Sequence, residues 1–272
     1  MKTVGLLIRP DFEAGLQAAR QIIKHLEEMK LKILLPPHLA KALKLAELTC
    51  PISEMKADFV ITLGGDGTTL YAARHLPSTV PILPVNLESF GFLSECEADE
   101  VNNLLNQVLG GELAVQETPR LGVWSKKRRL ANVVNEVAFF PAEKGRPVLI
   151  RVHLGEAARF DFRADGFVIA TPMGSTGHAL SLGGPILDLQ LDAVLLIAAA
   201  PLRNSFRSLV VPNQIEIQVQ LDKAGTLYGD GDTITDFAPP DLFVVAKIDQ
   251  PLRILRRPTQ FYTRLQQKLL GC

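Results

Sequence analysis

The sequence predicts an open α/β nucleotide-binding domain followed by a mainly antiparallel, β-sandwich-like domain. Three observations carry this. Up to residue 98, apolar runs of strand length alternate with apolar residues at helical spacing. Gly110-Gly111 then punctuates the chain. Beyond it, from about Leu113 to Ile248, the apolar runs are short and closely spaced. The expected division is residues 1–98 for the α/β domain and 99–257 for the β-rich domain. A helix over 258–272 is expected to pack back on the first.

The elements follow in order. Thr3–Ile8 reads as a buried strand, and Leu16, Ala19, Ile23 and Leu26 mark a helix after it. Leu31–Leu35 is a second strand, His38–Leu48 a second helical pattern, and Phe59–Leu63 a third strand ending in Gly64-Gly65. Thr69–His75 reads as helix, Pro81–Val85 as a fourth strand and Val101–Leu109 as helix. Strands alternating with helices imply a parallel sheet, and ligands of such sheets gather at the carboxyl ends of strands. Gly64 and Asn86 fall at such ends. In the second half the strand candidates are Leu130–Phe140, Val148–Leu154, Arg159–Arg163, Phe167–Thr171, Val194–Ala199, Ile215–Leu221 and Leu242–Ile248. Tyr262–Leu270 reads as the final helix.

Composition bounds the function. The 272 residues carry 29 basic and 29 acidic side chains, and 47% are hydrophobic. A neutral chain has no bulk attraction for nucleic acid or acidic membranes, so an anionic ligand needs a local site. The basic run Lys126–Arg129 reads as a solvated hairpin turn, with steering of anionic nucleotides as the second reading. Cys50, Cys96 and Cys272 are odd in number and far apart, which argues against a disulfide framework or metal knuckle. Arg9, Pro10 and Asp11 interrupt the first apolar stretch, unlike a secretory leader. The longest apolar run, Ala193 to Leu202, is too short to span a bilayer. A reducing cytoplasm is the expected setting.

The sharpest local signal is Gly64-Gly65-Asp66-Gly67-Thr68-Thr69-Leu70, after a strand and opening a helix. Glycines let backbone approach a ligand closely, and amides at a helix start favour phosphate. A carboxylate in such a loop would repel phosphate unless it handles a proton or a cation. Asp66 therefore reads as a general base or a magnesium contact, with an ordinary helix cap as the alternative. The spacing is neither that of a P-loop nor of a dinucleotide-binding fingerprint.

Gly-Gly-Asp-Gly-Thr after a strand resembles the superfamily of NAD kinases, diacylglycerol kinases and sphingosine kinases. Pro84-Val85-Asn86-Leu87-Glu88-Ser89-Phe90-Gly91-Phe92-Leu93 narrows the resemblance to NAD kinases, with Pro84 and Glu88 standing where glycine is usual. Asn135-Glu136 resembles the Asn-Glu motif of that family. An amide beside a carboxylate can accept from ribose hydroxyls and donate to ring nitrogens, although a strand-end turn would also use these residues. Arg163, Asp165, Gly166 and the run Thr171-Pro172-Met173-Gly174-Ser175-Thr176-Gly177-His178-Ala179-Leu180-Ser181, then Gly183-Gly184-Pro185, follow in family order. Here Gly177 replaces the usual alanine and His178 the usual tyrosine. Asn204–Pro212 resembles a further family stretch. Asp230-Gly231-Asp232 resembles the family's Asp-Gly-Gln, with Asp232 in place of glutamine; a hairpin turn also explains Asp230-Gly231.

The resemblance implies an ATP-dependent enzyme that phosphorylates the 2′-hydroxyl of the adenosine ribose of NAD. In it Asp66 is the general base, and Gly65, Gly67 and Thr68 line the phosphates. Magnesium or another divalent ion is held mainly by the ATP phosphates, with Asp66 a candidate contact. Asn135 and Glu136 hold the nucleoside, and Arg146, Arg163 and Asp165 touch the dinucleotide. Thr176, Gly177, His178 and Ser181 shape the adenosine pocket, and Asp232 lies in the final turn. Polyphosphate is an alternative donor. The resemblance implies a homodimer or homotetramer, with no nucleic-acid or membrane partner. The rival readings are a non-catalytic NAD or NADP sensor and a lipid kinase of the same superfamily.

Overall fold

A computed structural model of the chain describes residues 2–8, 15–87, 91, 93, 96–97, 100–143, 145–257, 262 and 265–266. Two compact units emerge, Met1–Glu117 with Leu252–Cys272, and Thr118–Pro251. Among the described residues no helix is long and apolar enough to cross a membrane.

The first unit begins β1 (Thr3–Ile8), α1 (Gly15–Glu28), β2 (Lys32–Leu34), α2 (Pro37–Leu43), β3 (Phe59–Leu63), α3 (Asp66–His75), β4 (Ile82–Asn86), β5 (Cys96–Glu97), α4 (Val101–Gly110). β1 pairs in parallel with β2 and β3, and β3 with β4. The apolar stripes explain the helices. Ala19, Ile22, Ile23 and Leu26 of α1 lie at i, i+3, i+4 and i+7 and are buried, as are Leu104, Leu105 and Val108 of α4. They share one core with Leu6, Ile8, Ile61, Leu63, Leu83 and Val85 of the strands. α4 stops at Gly111, whose φ of 78° suits glycine.

The helix predicted over His38–Leu48 is shorter in the structure. α2 ends at Lys44 in the left-handed region, and a single 3₁₀ turn, Ala46–Leu48, follows. The reason lies at the end of β2: Leu35 donates its N–H to Leu48 O and accepts one from Cys50, so residues 48–50 must leave the helix to pair. α3 starts earlier than the spacing predicts, at Asp66. The helix expected over 258–272 falls largely outside the described residues.

β6 (Ala114–Ser125) leads into the second unit. There follow β7 (Arg128–Val133), β8 (Glu136–Pro141), β9 (Val148–Leu154), β10 (Ala158–Ala164), β11 (Gly166–Ala170), α5 (His178–Ser181), β12 (Ala193–Ala199), β13 (Leu209–Pro212), β14 (Ile217–Leu221), β15 (Gly225–Gly229), β16 (Asp232–Phe237), β17 (Phe243–Arg256). A six-stranded antiparallel sheet has the order β13-β12-β11-β8-β15-β16. A second antiparallel set is β10-β9-β14-β17. The end of β17 returns to the first unit, where Ile254 pairs in parallel with Ile82. The two sets share a core in which Val137, Phe139, Phe167 and Ile169 meet Ile150, Val152, Val219 and Val245. Alternate residues Ala138, Val168, Ala170, Leu195 and Ile197 pack on Ala179 and Leu187 instead. The central strands β8, β11 and β12 are thus largely buried on both faces, which is why they read as apolar runs.

Two strand assignments change. The predicted strand Leu130–Phe140 is two, β7 and β8, broken at Val134-Asn135. The strand predicted over Leu242–Ile248 runs on to Arg256. Only the first half of the basic run forms the expected turn, with Lys126 and Lys127 at φ of 49° and 63°; Arg128 and Arg129 open β7 and pair with the end of β6. Lys126, 84% exposed, bridges Asp241 at 3.0 Å.

Candidate active site

In the first unit β3 is buried throughout and ends at Leu63. Gly64 follows at φ 143°, and a Cβ there would collide with the Thr68 hydroxyl. Only glycine fits, and the tight turn delivers the chain directly into α3 with Gly65 as its cap residue. Thr69 Oγ1 lies 3.2 Å from Thr62 Oγ1, tying the helix to the strand it leaves. Asp66 is the first residue of α3 and half-buried. Its Oδ1 accepts the Leu93 N–H at 3.0 Å, which joins the glycine-rich turn to the segment after β4. β3 and β4 are parallel neighbours, so both motifs leave the same end of the sheet. Gly67 is exposed, while Thr68 is buried with its side chain under Gly64. Of the Pro84–Leu93 motif, Glu88, Ser89, Phe90 and Phe92 lie outside the described residues.

In the second unit a cavity of about 730 Å³ opens between β8, β15 and the segments around them. Glu136, Ala138 and Phe140 of β8 and Thr226 and Tyr228 of β15 border it. Glu143, Gly145 and Arg146 enter from the loop after β8, and Asp165, His178, Asp230 and Gly231 complete the rim. The fold therefore brings four predicted residues, Glu136, Arg146, Asp165 and His178, to one cavity. Arg146 meets Glu143 at 3.6 Å, an exposed pair of little energetic weight. His178 stacks on Phe140, with centroids 5.6 Å apart and planes at 14°, and Tyr228 meets Phe140 edge-on at 6.4 Å.

The Asn135-Glu136 pair sits where β7 gives way to β8. Thr171 holds it from one side, donating its N–H to Asn135 O at 2.8 Å and its hydroxyl to Val134 O at 2.6 Å. Gly174 lies so close that a Cβ would run into the Asn135 carbonyl. From the other side Asp230 accepts the N–H groups of Val134, Asn135 and Glu136. Burial, and secondly the charge of Asp230, raise the Glu136 carboxyl from 4.5 to about 7. Asn135 Oδ1 and Glu136 Oε2 are buried without a hydrogen-bond partner among the described residues. Gly177 faces this pair: a Cβ on it would stand 3.4 Å from Glu136 Oε2 and 3.8 Å from Asn135 Nδ2.

The remaining predicted residues lie elsewhere in the unit. Thr176 is half-buried and donates its hydroxyl to Met173 O at 3.0 Å. Ser181 is exposed at the end of α5, and Asp232 is exposed at the start of β16. Arg163 stands on an exposed position of β10 and reaches Pro147 O at 3.5 Å. None of these four borders the cavity. Sequence reasoning missed Phe140 and Tyr228. Gly225 and Gly229 hide β15 from propensity, yet Thr226 and Tyr228 alternate with buried Leu227 as strand residues do. Among the described residues no three His, Cys, Asp or Glu side chains converge on a metal position.

The chain is similar to known proteins in sequence and in fold. The model of the ATP-NAD kinase N-terminal domain matches residues 4–113, and that of the ATP-NAD kinase C-terminal domain matches residues 134–257. The NAD kinase of Methanosphaera stadtmanae is 31% identical over 272 residues, 98% of each chain. That of Methanosarcina acetivorans is 31% identical over 276 residues, 99% of each chain. Among solved structures, yeast NADH kinase complexed with NADH matches at a TM-score of 0.91 and 22% identity, over 100% of this chain and 88% of that one. An NAD kinase from Archaeoglobus fulgidus in complex with ATP matches at 0.78 and 22% identity, over 99% and 97%. With the glycine-rich turn lying within the first domain match and the cavity bordered by Glu136 within the second, and with relatives similar from end to end, the chain belongs to the NAD kinase family.

Proposed function

We propose that the chain transfers the γ-phosphate of ATP to the 2′-hydroxyl of the adenosine ribose of NAD, forming NADP. The observation that carries the reading is Glu136 at the cavity with Asn135 next to it in the chain, each with a buried acceptor oxygen lacking a donor among the described residues, and aromatic rings alongside. An unpaired buried acceptor is costly, and a sugar diol supplies the donors that relieve it. Rings at the same cavity suit the flat faces of a dinucleotide.

Phosphoryl transfer needs a positioned nucleophile and neutralised phosphate charge. Asp66 accepts the proton of the 2′-hydroxyl as that oxygen attacks the γ-phosphorus and ADP leaves. Gly65, Gly67 and Thr68 meet the phosphates through backbone amides at the start of α3. The loop has one carboxylate, which suits a divalent ion that keeps waters and phosphate oxygens as most of its ligands. Magnesium, when bound, would be held mainly by the phosphate oxygens and would neutralise their charge. Asn135 and Glu136 hold the nucleoside. Arg146 and Asp165 contact the dinucleotide at the rim, and Gly177 and His178 shape the base pocket. Arg163, Thr176, Ser181 and Asp232, away from the rim, act from the surrounding segments. The working protein is a homodimer or homotetramer in the cytoplasm.

Purified chain, ATP, Mg²⁺ and NAD tested together decide the matter. NADP and ADP should form in equal amounts. A dinucleotide sensor would bind NAD without consuming ATP. A polyphosphate donor would replace ATP in the same assay.

A further inference from the structure

The geometry points to Asp230 as the positioning residue of the Asn135-Glu136 pair: its buried carboxylate gathers three consecutive backbone amides and so sets the direction in which the pair meets the nucleoside. Asp230 and Gly231 have φ of 49° and 84°, the left-handed pair expected of a two-residue hairpin, and join β15 to β16. A hairpin aspartate normally stands in solvent, but Asp230 is only 9% exposed. Its Oδ1 accepts from Asn135 N at 2.6 Å, Val134 N at 3.1 Å and Glu136 N at 3.2 Å, and its Oδ2 from Val134 N at 2.9 Å. Its own N–H donates to Glu136 O at 3.1 Å.

The physical need is plain. β7 stops at Val133 and β8 starts at Glu136, so the amides between them leave the sheet ladder inside the protein. Buried amides must find an acceptor, and a carboxylate can serve several at once. Thr171 takes the matching carbonyl side: it donates to Val134 O and Asn135 O. The pair is therefore clamped between an acceptor on the β15–β16 hairpin and donors on the loop after β11. Arg120, buried at 4% exposure, interacts electrostatically with Asp230 and offsets its charge. Although Asp230 borders the cavity, both its oxygens are engaged by backbone amides, so it acts through its neighbours.

This inference rests on the reading of Glu136 as an NAD contact, and the test separates the two. Asp230→Asn, Asp230→Ala and Glu136→Gln are made in the full chain, and KM for NAD, KM for ATP and kcat are measured. Asp230→Asn keeps one acceptor oxygen and should raise KM for NAD about tenfold; Asp230→Ala should raise it about a hundredfold. KM for ATP should stay within about twofold and kcat within a few-fold, a split that general loosening of the fold would not give. If Glu136→Gln leaves KM for NAD unchanged, the contact reading fails. If Glu136→Gln raises it while both Asp230 variants match wild type, the positioning role is overturned. Should the Asp230 variants not fold, hydrogen exchange on the wild-type protein decides. Amides of Val134, Asn135 and Glu136 exchanging as slowly as those of Val137–Phe139 support the clamp, and exchange at open-loop rates refutes it.

Discussion

NAD binding should be coupled to the loss of a proton from Glu136. In the empty cavity burial and the charge of Asp230 push this carboxyl up to about 7. A ribose hydroxyl donating to it favours the carboxylate, so binding draws the carboxyl back toward its ordinary range. At pH 6 only about a tenth of the empty sites carry the carboxylate, and at pH 8 about nine-tenths do. Affinity for NAD should therefore be about tenfold higher at pH 8 than at pH 6, a change of about 1.4 kcal/mol in binding free energy. Calorimetry in buffers of different ionisation enthalpy measures the released proton directly. Close to one proton per NAD should appear at pH 6 and close to none at pH 8. Glu136→Gln should flatten both trends, which separates Glu136 from Asp165, Asp230 and His178 at the same cavity. A pH-independent affinity, or a slope that survives in Glu136→Gln, would refute the reasoning.

Three further outcomes follow from the same geometry. Folded Glu136 holds its proton more tightly than the unfolded chain does, so its contribution to stability is full below pH 4.5 and is lost as pH rises through about 7. Glu136→Gln should accordingly gain on wild type by at most about 3 kcal/mol between pH 4 and pH 8 in denaturant titrations; no relative gain would contradict the burial argument. Gly174→Ala drives a methyl into the Asn135 carbonyl and should lower the melting temperature by roughly 5 to 10 °C, as differential scanning calorimetry would show. His178→Tyr adds ring area to a stack already formed on Phe140 and should tighten NAD several-fold, read as Kd on both proteins.

Most of the first unit was legible because its signals are local. The apolar period of α1, the strand before Gly64 and the positive φ that only glycine takes there are all written in neighbouring residues. The end of α2 was not, since it is set by Leu35 pairing with residues 48–50, a contact across the fold. In the second unit the motif residues Glu136, Arg146, Asp165 and His178 do meet at one cavity. The break between β7 and β8 was hidden because Val133 and Val134 continue an apolar run; its cause is a carboxylate about a hundred positions away in sequence. Phe140 and Tyr228 were missed for a related reason. Their neighbours are cross-strand partners, and β15, flanked by glycines, has too weak a strand signature to announce them.

Asp66→Asn gives the most direct measurement of the chemistry. With ATP and Mg²⁺ saturating, single-turnover formation of NADP should fall by about two to four decades, while the Kd for NAD on the same preparation stays within a few-fold. A variant that phosphorylates NAD at near wild-type rate would remove Asp66 from the proton transfer and contradict the mechanism.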